Sequence, residues 1–298
     1  MPDSEADNSN HNLRPRPVVL LLLDGWGLAP AGLANIISSV KLPTFDNLIS
    51  EYPVAALATT FKSPALSYLT LGGGRPAFSL EASYDDLSTL TKVISAAGLK
   101  QALIAESEKF ALTSYFLKGK NNHPLLGEDQ FIVSSKLGHY EEQPGLVLPD
   151  LVNLALKKIK SQRYDFILLN ISNLDLLAAI GDKEAIKKSL VLLDKNLARI
   201  VKVVLDLHGA LIITSAHGNA EKMLDLNTDS VDTDITDNPV PLIIVSENYK
   251  GKTIGLKDII NNDLSLLETS GSLCDLAPTI IKIMNLTKPA DMSGESLI

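Results

Sequence analysis

Three residues able to ligate a metal or carry a proton follow short apolar runs. Asp24 comes directly after Val18 to Leu23, Asp175 lies shortly after Phe166 to Leu169, and His217 lies just beyond Ala210 to Ile213. Carboxylate and imidazole are suitable donors for a divalent metal ion. Asp24 opens the stretch D-G-W-G, whose glycines permit a tight turn that leaves the carboxylate at the end of a strand. Each residue also has an ordinary reading. An Asp before Gly is commonly a turn residue, Asn173-Leu-Asp175 could be the N-terminal region of a helix, and a lone His near a strand end could be loop packing. Recurrence after three separate runs is what joins them. In T-S-A-H-G-N-A-E, Thr214 to Glu221, the position before His217 is Ala216, so one donor is missing where another would be useful.

The elements that must position these residues are legible from periodicity. Val18 to Leu23, Ala102 to Ala105, Phe131 to Val133, Phe166 to Leu169, Ala210 to Ile213 and Val240 to Val245 lack internal polar alternation, which is the pattern of strands buried on both faces. Between them the spacing of Ile186, Leu190, Leu193, Leu197, Ile200, Val204 and Leu207 predicts a helix from about Lys183 to Leu207, stopped by Gly209. A second helix opens at Ser272, with Asp275 completing a capping box and Leu276, Ile280 and Ile283 facing inward. Alternating strands and helices predict an α/β fold: a doubly wound, mostly parallel sheet with helices on both faces. Ligands of such sheets bind beyond the carboxyl ends of the strands, which directs attention to Asp24, to Asn170 through Asp175, and to Ser215 through Asn219.

Composition narrows the partners. The chain has 298 residues, 45% of them hydrophobic, enough for a sizeable core, and a net charge of −8 from 27 basic and 35 acidic residues. No basic run tracks a phosphate backbone, so nucleic acid is not expected. Residues 1–16 are polar and punctuated by proline, as in a solvated tail, and 17–298 read as one domain. The run ending at Leu23 is too short for a signal peptide core, and nothing approaches the ~18 to 20 apolar residues of a membrane span. A cytoplasmic protein is expected. Its lone cysteine, Cys274, is expected to be a buried small hydrophobe.

V-V-L-L-L-L-D-G-W-G, Y-D-F-I-L-L-N, A-H-G-N-A-E and N-P-V-P, with Ala97 to Phe116, Gly127 to Ser135, L-A-P-T-I and the final S-G-E-S-L-I, together resemble the phosphatase-like domain of cofactor-independent phosphoglycerate mutase, in the alkaline phosphatase superfamily. The resemblance runs over about residues 17–298. It implies an alkaline phosphatase-like fold and a site in which two divalent metals, usually manganese, activate a serine that takes and returns a phosphoryl group. It identifies Asp24, Asp175 and His217 with family metal ligands, and Lys109, in E-S-E-K-F, with the family lysine beside the metals. Other ligand positions have changed. Ala216 replaces an aspartate, Ala179 a histidine, and Ile235 another histidine, with Asp234 one residue away. Aligned by its glycine-rich end, the nucleophile segment puts Pro64, which has neither hydroxyl nor N–H, at the serine position, with Ser63 adjacent. Where the family inserts a cap domain, only Pro76 to Leu90 intervene.

These departures imply a catalytically inactive relative acting as a binding or regulatory protein. No cofactor is expected; if one binds, it is Mn2+ or another divalent metal at Asp24, Asp175 and His217. The expected partner is a protein or a small anionic or phosphorylated ligand. Lys109 would then hold Asp24 or Asp175 as a buried ion pair, or receive the anion. The alternative is a metal-dependent phosphohydrolase or phosphotransferase with a rebuilt single-metal site, using Ser63 or Ser67 as nucleophile and Lys109 on the phosphate. A true mutase, which needs both the serine and the cap, is the remaining reading.

Overall fold

Six consecutive apolar residues with no exposed face form β1 (Val18–Leu23), the strand on which the sheet is built. The computed structural model describes residues 14–59, 62–135, 147–226, 228–254 and 262–298. Of the tail expected over 1–16, residues 1–13 lie outside the described residues. Arg14 and Arg16 both pair with Asp165, at 3.0 and 3.1 Å, fixing the approach to β1.

β1 is joined by β2 (Val54–Ala58), β3 (Gln101–Glu106), β4 (Glu128–Val133), β5 (Phe166–Ile171), β6 (Ala210–Thr214), β7 (Val240–Val245) and β8 (Thr269–Ser272). The sheet order is β4-β3-β5-β1-β6-β7-β2-β8. β7 runs antiparallel to both β6 and β2, and the remaining pairings are parallel. The expected strands are all present, but Phe131–Val133, expected to be buried on both faces, lies on the edge strand β4 with Ile132 55% exposed. Register decides the location of the site: Leu22 lies opposite Asn170 on β5 and Thr214 on β6, so the residues that follow all three strands emerge at one edge.

Alternate residues of β1 serve two cores. Val19, Leu21 and Leu23 pack beneath α1 (Pro43–Glu51), α4 (Leu148–Lys160), α5 (Asn173–Ile180) and α6 (Lys183–Asp206). Val18, Leu20 and Leu22 pack beneath α2 (Pro64–Gly73), α3 (Leu90–Ala96) and α7 (Leu276–Ile283). Helices therefore cover both faces, as the pattern of apolar runs predicts. α6 begins where Asp182 accepts from the Ala185 N–H at 2.9 Å and buries Ile186, Leu190, Leu193, Leu197, Ile200 and Val204. The capping box of Ser272 and Asp275 is formed around a 3-10 turn that leads into α7. Cys274 lies in that polar turn, half-buried and 3.0 Å from Ser272 Oγ, and so is not the fully buried hydrophobe expected.

Two further features set the frame. A π-helical turn over Leu112–Phe116 packs against α2, where a Cβ on Gly72 would lie 2.0 Å from the Leu117 carbonyl oxygen, so only glycine fits. The short connection between α2 and α3 is held down by buried Tyr84 and by Lys120, whose ammonium donates to the Leu80 and Ala82 carbonyls. No described helix is long and apolar enough to cross a membrane.

Candidate functional site

Asp24 enters the site because the chain turns sharply after β1. Gly25 has a φ of +88°, and a Cβ there would lie 2.6 Å from the Asp175 backbone nitrogen. The Asp175 N–H donates to the Asp24 carbonyl at 3.2 Å, and the Gly25 N–H donates to the His217 carbonyl at 3.2 Å. Three segments distant in sequence are thus laced together through their backbones. Asp24 is fully buried, and its Oδ2 accepts from the Tyr68 hydroxyl at 2.7 Å and from the Asn170 amide at 2.8 Å. Asn170 also donates to the Tyr68 oxygen at 2.7 Å, closing a triangle. Burial, and then the Asp24 charge, push the Tyr68 phenol well above its ordinary pKa, so it remains a donor.

Asp175 sits in the first turn of α5, with Oδ2 2.5 Å from Lys109 Nζ and Oδ1 3.9 Å from His217 Nδ1. Burial pushes its carboxyl up, but His217, Lys109 and a hydrogen bond from Asn219 outweigh it and hold the group below the usual carboxylate range. Lys109 shows the reciprocal balance. Burial pulls its ammonium down, while Asp175 foremost, then Asp24 and Glu106, carry it above the ordinary lysine value. Of the two partners expected for Lys109, the pair is made with Asp175.

An outer layer, not singled out in the sequence, fixes this arrangement. Glu221, fully buried, accepts at Oε2 from the Gly27 and Asn219 N–H groups at 3.1 and 2.7 Å. Its Oε1 accepts from the Thr236 hydroxyl and from the Asn238 amide, the latter at 2.9 Å. One carboxylate therefore ties together the loops that follow β1 and β6 and the segment that leads into β7. On the other flank Glu106 accepts from Ser172 at 2.7 Å and Ser135 at 2.9 Å. Glu221 closes the quoted H-G-N-A-E stretch, so its position was visible; its role as a tie was not, because the donors come from remote loops.

The remaining expected residues are dispersed. Ser63 caps α2, its Oγ accepting from the Leu66 N–H at 3.5 Å, and Pro64 is the first residue of that helix. Ser67 is buried with an unpaired hydroxyl. Ala179 is exposed near the end of α5, and Asp234 is exposed with its N–H on Asp232 Oδ1 at 3.0 Å. Neither completes the set formed by Asp24, Asp175 and His217.

These residues do not fit a two-metal centre. Among the described residues no three His, Cys, Asp or Glu side chains are grouped to hold a metal ion. Asp24 Oδ2 already serves two protein donors, and Asp175 Oδ2 is filled by an ammonium. Asp24 Oδ1 and His217 Nε2 are buried without partners, as are Asn170 Oδ1, Asn219 Oδ1 and both side-chain polar atoms of Asn173. What the site can do on its own residues is hold charge and hydrogen-bond donors in fixed positions.

Comparison with known proteins agrees with this architecture. Residues 16–288 match the model of the metalloenzyme superfamily. The 2,3-bisphosphoglycerate-independent phosphoglycerate mutase of Rhodopseudomonas palustris is 39% identical over 273 residues, covering 89% of this chain and 49% of the relative. That of Chloroflexus aggregans is 37% identical over 210 residues, covering 70% of this chain and 37% of the relative. The chain thus spans less than half the length of these curated relatives. Among solved structures, Leishmania mexicana phosphoglycerate mutase superposes with a TM-score of 0.77 at 13% identity, covering 95% of this chain and 98% of that one. TAB5 alkaline phosphatase superposes at 0.58 with 12% identity, covering 92% and 99%.

Proposed function

The chain belongs to the metalloenzyme superfamily, and from that membership we propose that it is a non-catalytic member, one that retains the scaffold of a phosphoryl-transfer enzyme and acts as a binding or regulatory protein. One observation carries this reading: one oxygen of each candidate carboxylate ligand is taken by protein partners. Asp24 is bonded to Tyr68 and Asn170, and Asp175 to Lys109, so neither carboxylate presents the pair of free oxygens that a first-row divalent ion draws on. Pro64 supports it from the other side of the chemistry, since the first residue of α2 carries no nucleophile and Ser63 is occupied as a helix cap.

The relatives are named as phosphoglycerate mutases, and the alternative for this chain is a metal-dependent phosphohydrolase or phosphotransferase with a rebuilt single-metal site. The unpaired atoms Asp24 Oδ1 and His217 Nε2 favour that second reading. Hydrolysis of an aryl phosphate by the purified chain in manganese, with metal content measured by mass spectrometry, separates the two. Absent turnover and absent metal support the first. Bound manganese near one per chain with turnover lost in Asp24→Ala establishes the second. Under the favoured reading, a pull-down from extract or a small phosphorylated anion that raises the melting temperature identifies what is bound.

A further inference from the structure

Asp24 and Asp175 are both buried, their segments joined by a backbone hydrogen bond, and Glu106 is buried behind Lys109's own turn. Three carboxylates converge on one end of the sheet. Two buried carboxylates around β1 would repel each other and resist desolvation unless a cation stood between them and solvent. Lys109 follows β3 through a 3-10 turn over Ser107–Lys109, which brings its ammonium across the edge of the sheet to Asp175. Its side chain is only 16% exposed, so the charge is delivered inside the site.

Resting on the non-catalytic reading above, we infer that Lys109 makes this site self-sufficient in charge: its ammonium, 2.5 Å from Asp175 Oδ2, supplies as part of the chain a positive charge for the buried carboxylate, and the fold is thereby independent of metal. Lys109 is a positioning residue. Lys109 acts through Asp175 on the tight junction of Gly25 with the start of α5, and through the Asn219 contact on the loop after β6. Removing its charge while keeping its length takes from the buried carboxylate its ammonium partner, leaving His217 and Asn219, and neutralising that carboxylate relieves the defect.

The test is a double-mutant cycle on the full chain, read by urea unfolding, with wild type, Lys109→Met, Asp175→Asn and the double variant. Lys109→Met is expected to raise the unfolding constant by about a hundredfold or more, and the double variant to recover at least about tenfold of that loss. Lys109→Arg is expected to retain most of the stability, which a purely apolar packing role would not predict. Should Lys109→Met fail to fold, folding of the double variant supports the inference and failure of both overturns it. Strictly additive effects overturn it, as does a wild-type melting temperature raised by manganese over chelator. Turnover of an aryl phosphate by the wild type would instead overturn the non-catalytic reading, whereas an additive cycle in an inactive protein leaves that reading standing.

Discussion

Tyr68 donates its hydroxyl to Asp24 Oδ2 at 2.7 Å, from a helix on one face of the sheet to the turn at the end of its central strand. A fully buried carboxylate is thereby held by a side chain. The bond is part of a closed triangle with Asn170, so its loss leaves a buried charge with one donor in place of two. Tyr68→Phe is expected to destabilise the chain by about 1–3 kcal/mol, measured by urea unfolding. A change within about 0.5 kcal/mol, the ordinary scatter of surface substitutions, would show that the triangle contributes little.

The ion pair makes the acid limb of stability predictable in sign. Asp175 has a folded pKa below its unfolded value of about 3.9, so its contribution is present above that value and is lost as pH falls through the folded one. Lys109 has a folded pKa above its unfolded value of about 10.4, so its contribution is present below that value and is lost as pH rises through the folded one. Urea midpoints measured from neutral pH into acid should fall less steeply below about pH 4 in Asp175→Asn than in the wild type. Parallel acid limbs would contradict the direction assigned to Asp175.

Glu221 is expected to matter for order more than for chemistry. Glu221→Ala removes acceptors from Gly27, Asn219, Thr236 and Asn238 at once, and is expected to cost about 3 kcal/mol or more. Native-state hydrogen exchange should show the loops after β1 and β6 opening together in Glu221→Gln. Protection lost in only one of those loops would contradict the tie.

The close approach of α2 to the π-helical turn gives a steric prediction. A methyl on Gly72 meets the Leu117 carbonyl oxygen at 2.0 Å, a backbone atom that cannot rotate away. Gly72→Ala is expected to lower stability by about 1–3 kcal/mol despite its better helix propensity, measured by thermal unfolding. A stabilised variant would mean that the helix can shift.

Much of this arrangement was legible in the residues. The continuous apolar runs marked β1, β5, β6 and β7 because strands buried on both faces carry no polar alternation, and parallel pairing placed Asp24, Asp175 and His217 at one edge. β2, with the small residues of V-A-A-L-A, and β8, a short T-S-G-S, carried too little apolar signal. The antiparallel course of β7 was equally invisible, since a fully buried strand reads alike in either direction. In the site, residue identities singled out the candidate ligands Asp24, Asp175 and His217. Their present partners did not, because Tyr68, Asn170 and Glu221 act through contacts made only when distant segments meet. Lys109 was placed beside the site by resemblance, and the fold chose Asp175 over Asp24 as its partner.

Turnover of an aryl phosphate by the purified wild-type chain in excess manganese tests the non-catalytic reading most directly. With Asp24 and Asp175 held by Tyr68, Asn170 and Lys109, and Pro64 heading α2, the rate should not exceed the manganese-only background. Turnover above background that depends on manganese and disappears in Asp24→Ala would contradict it.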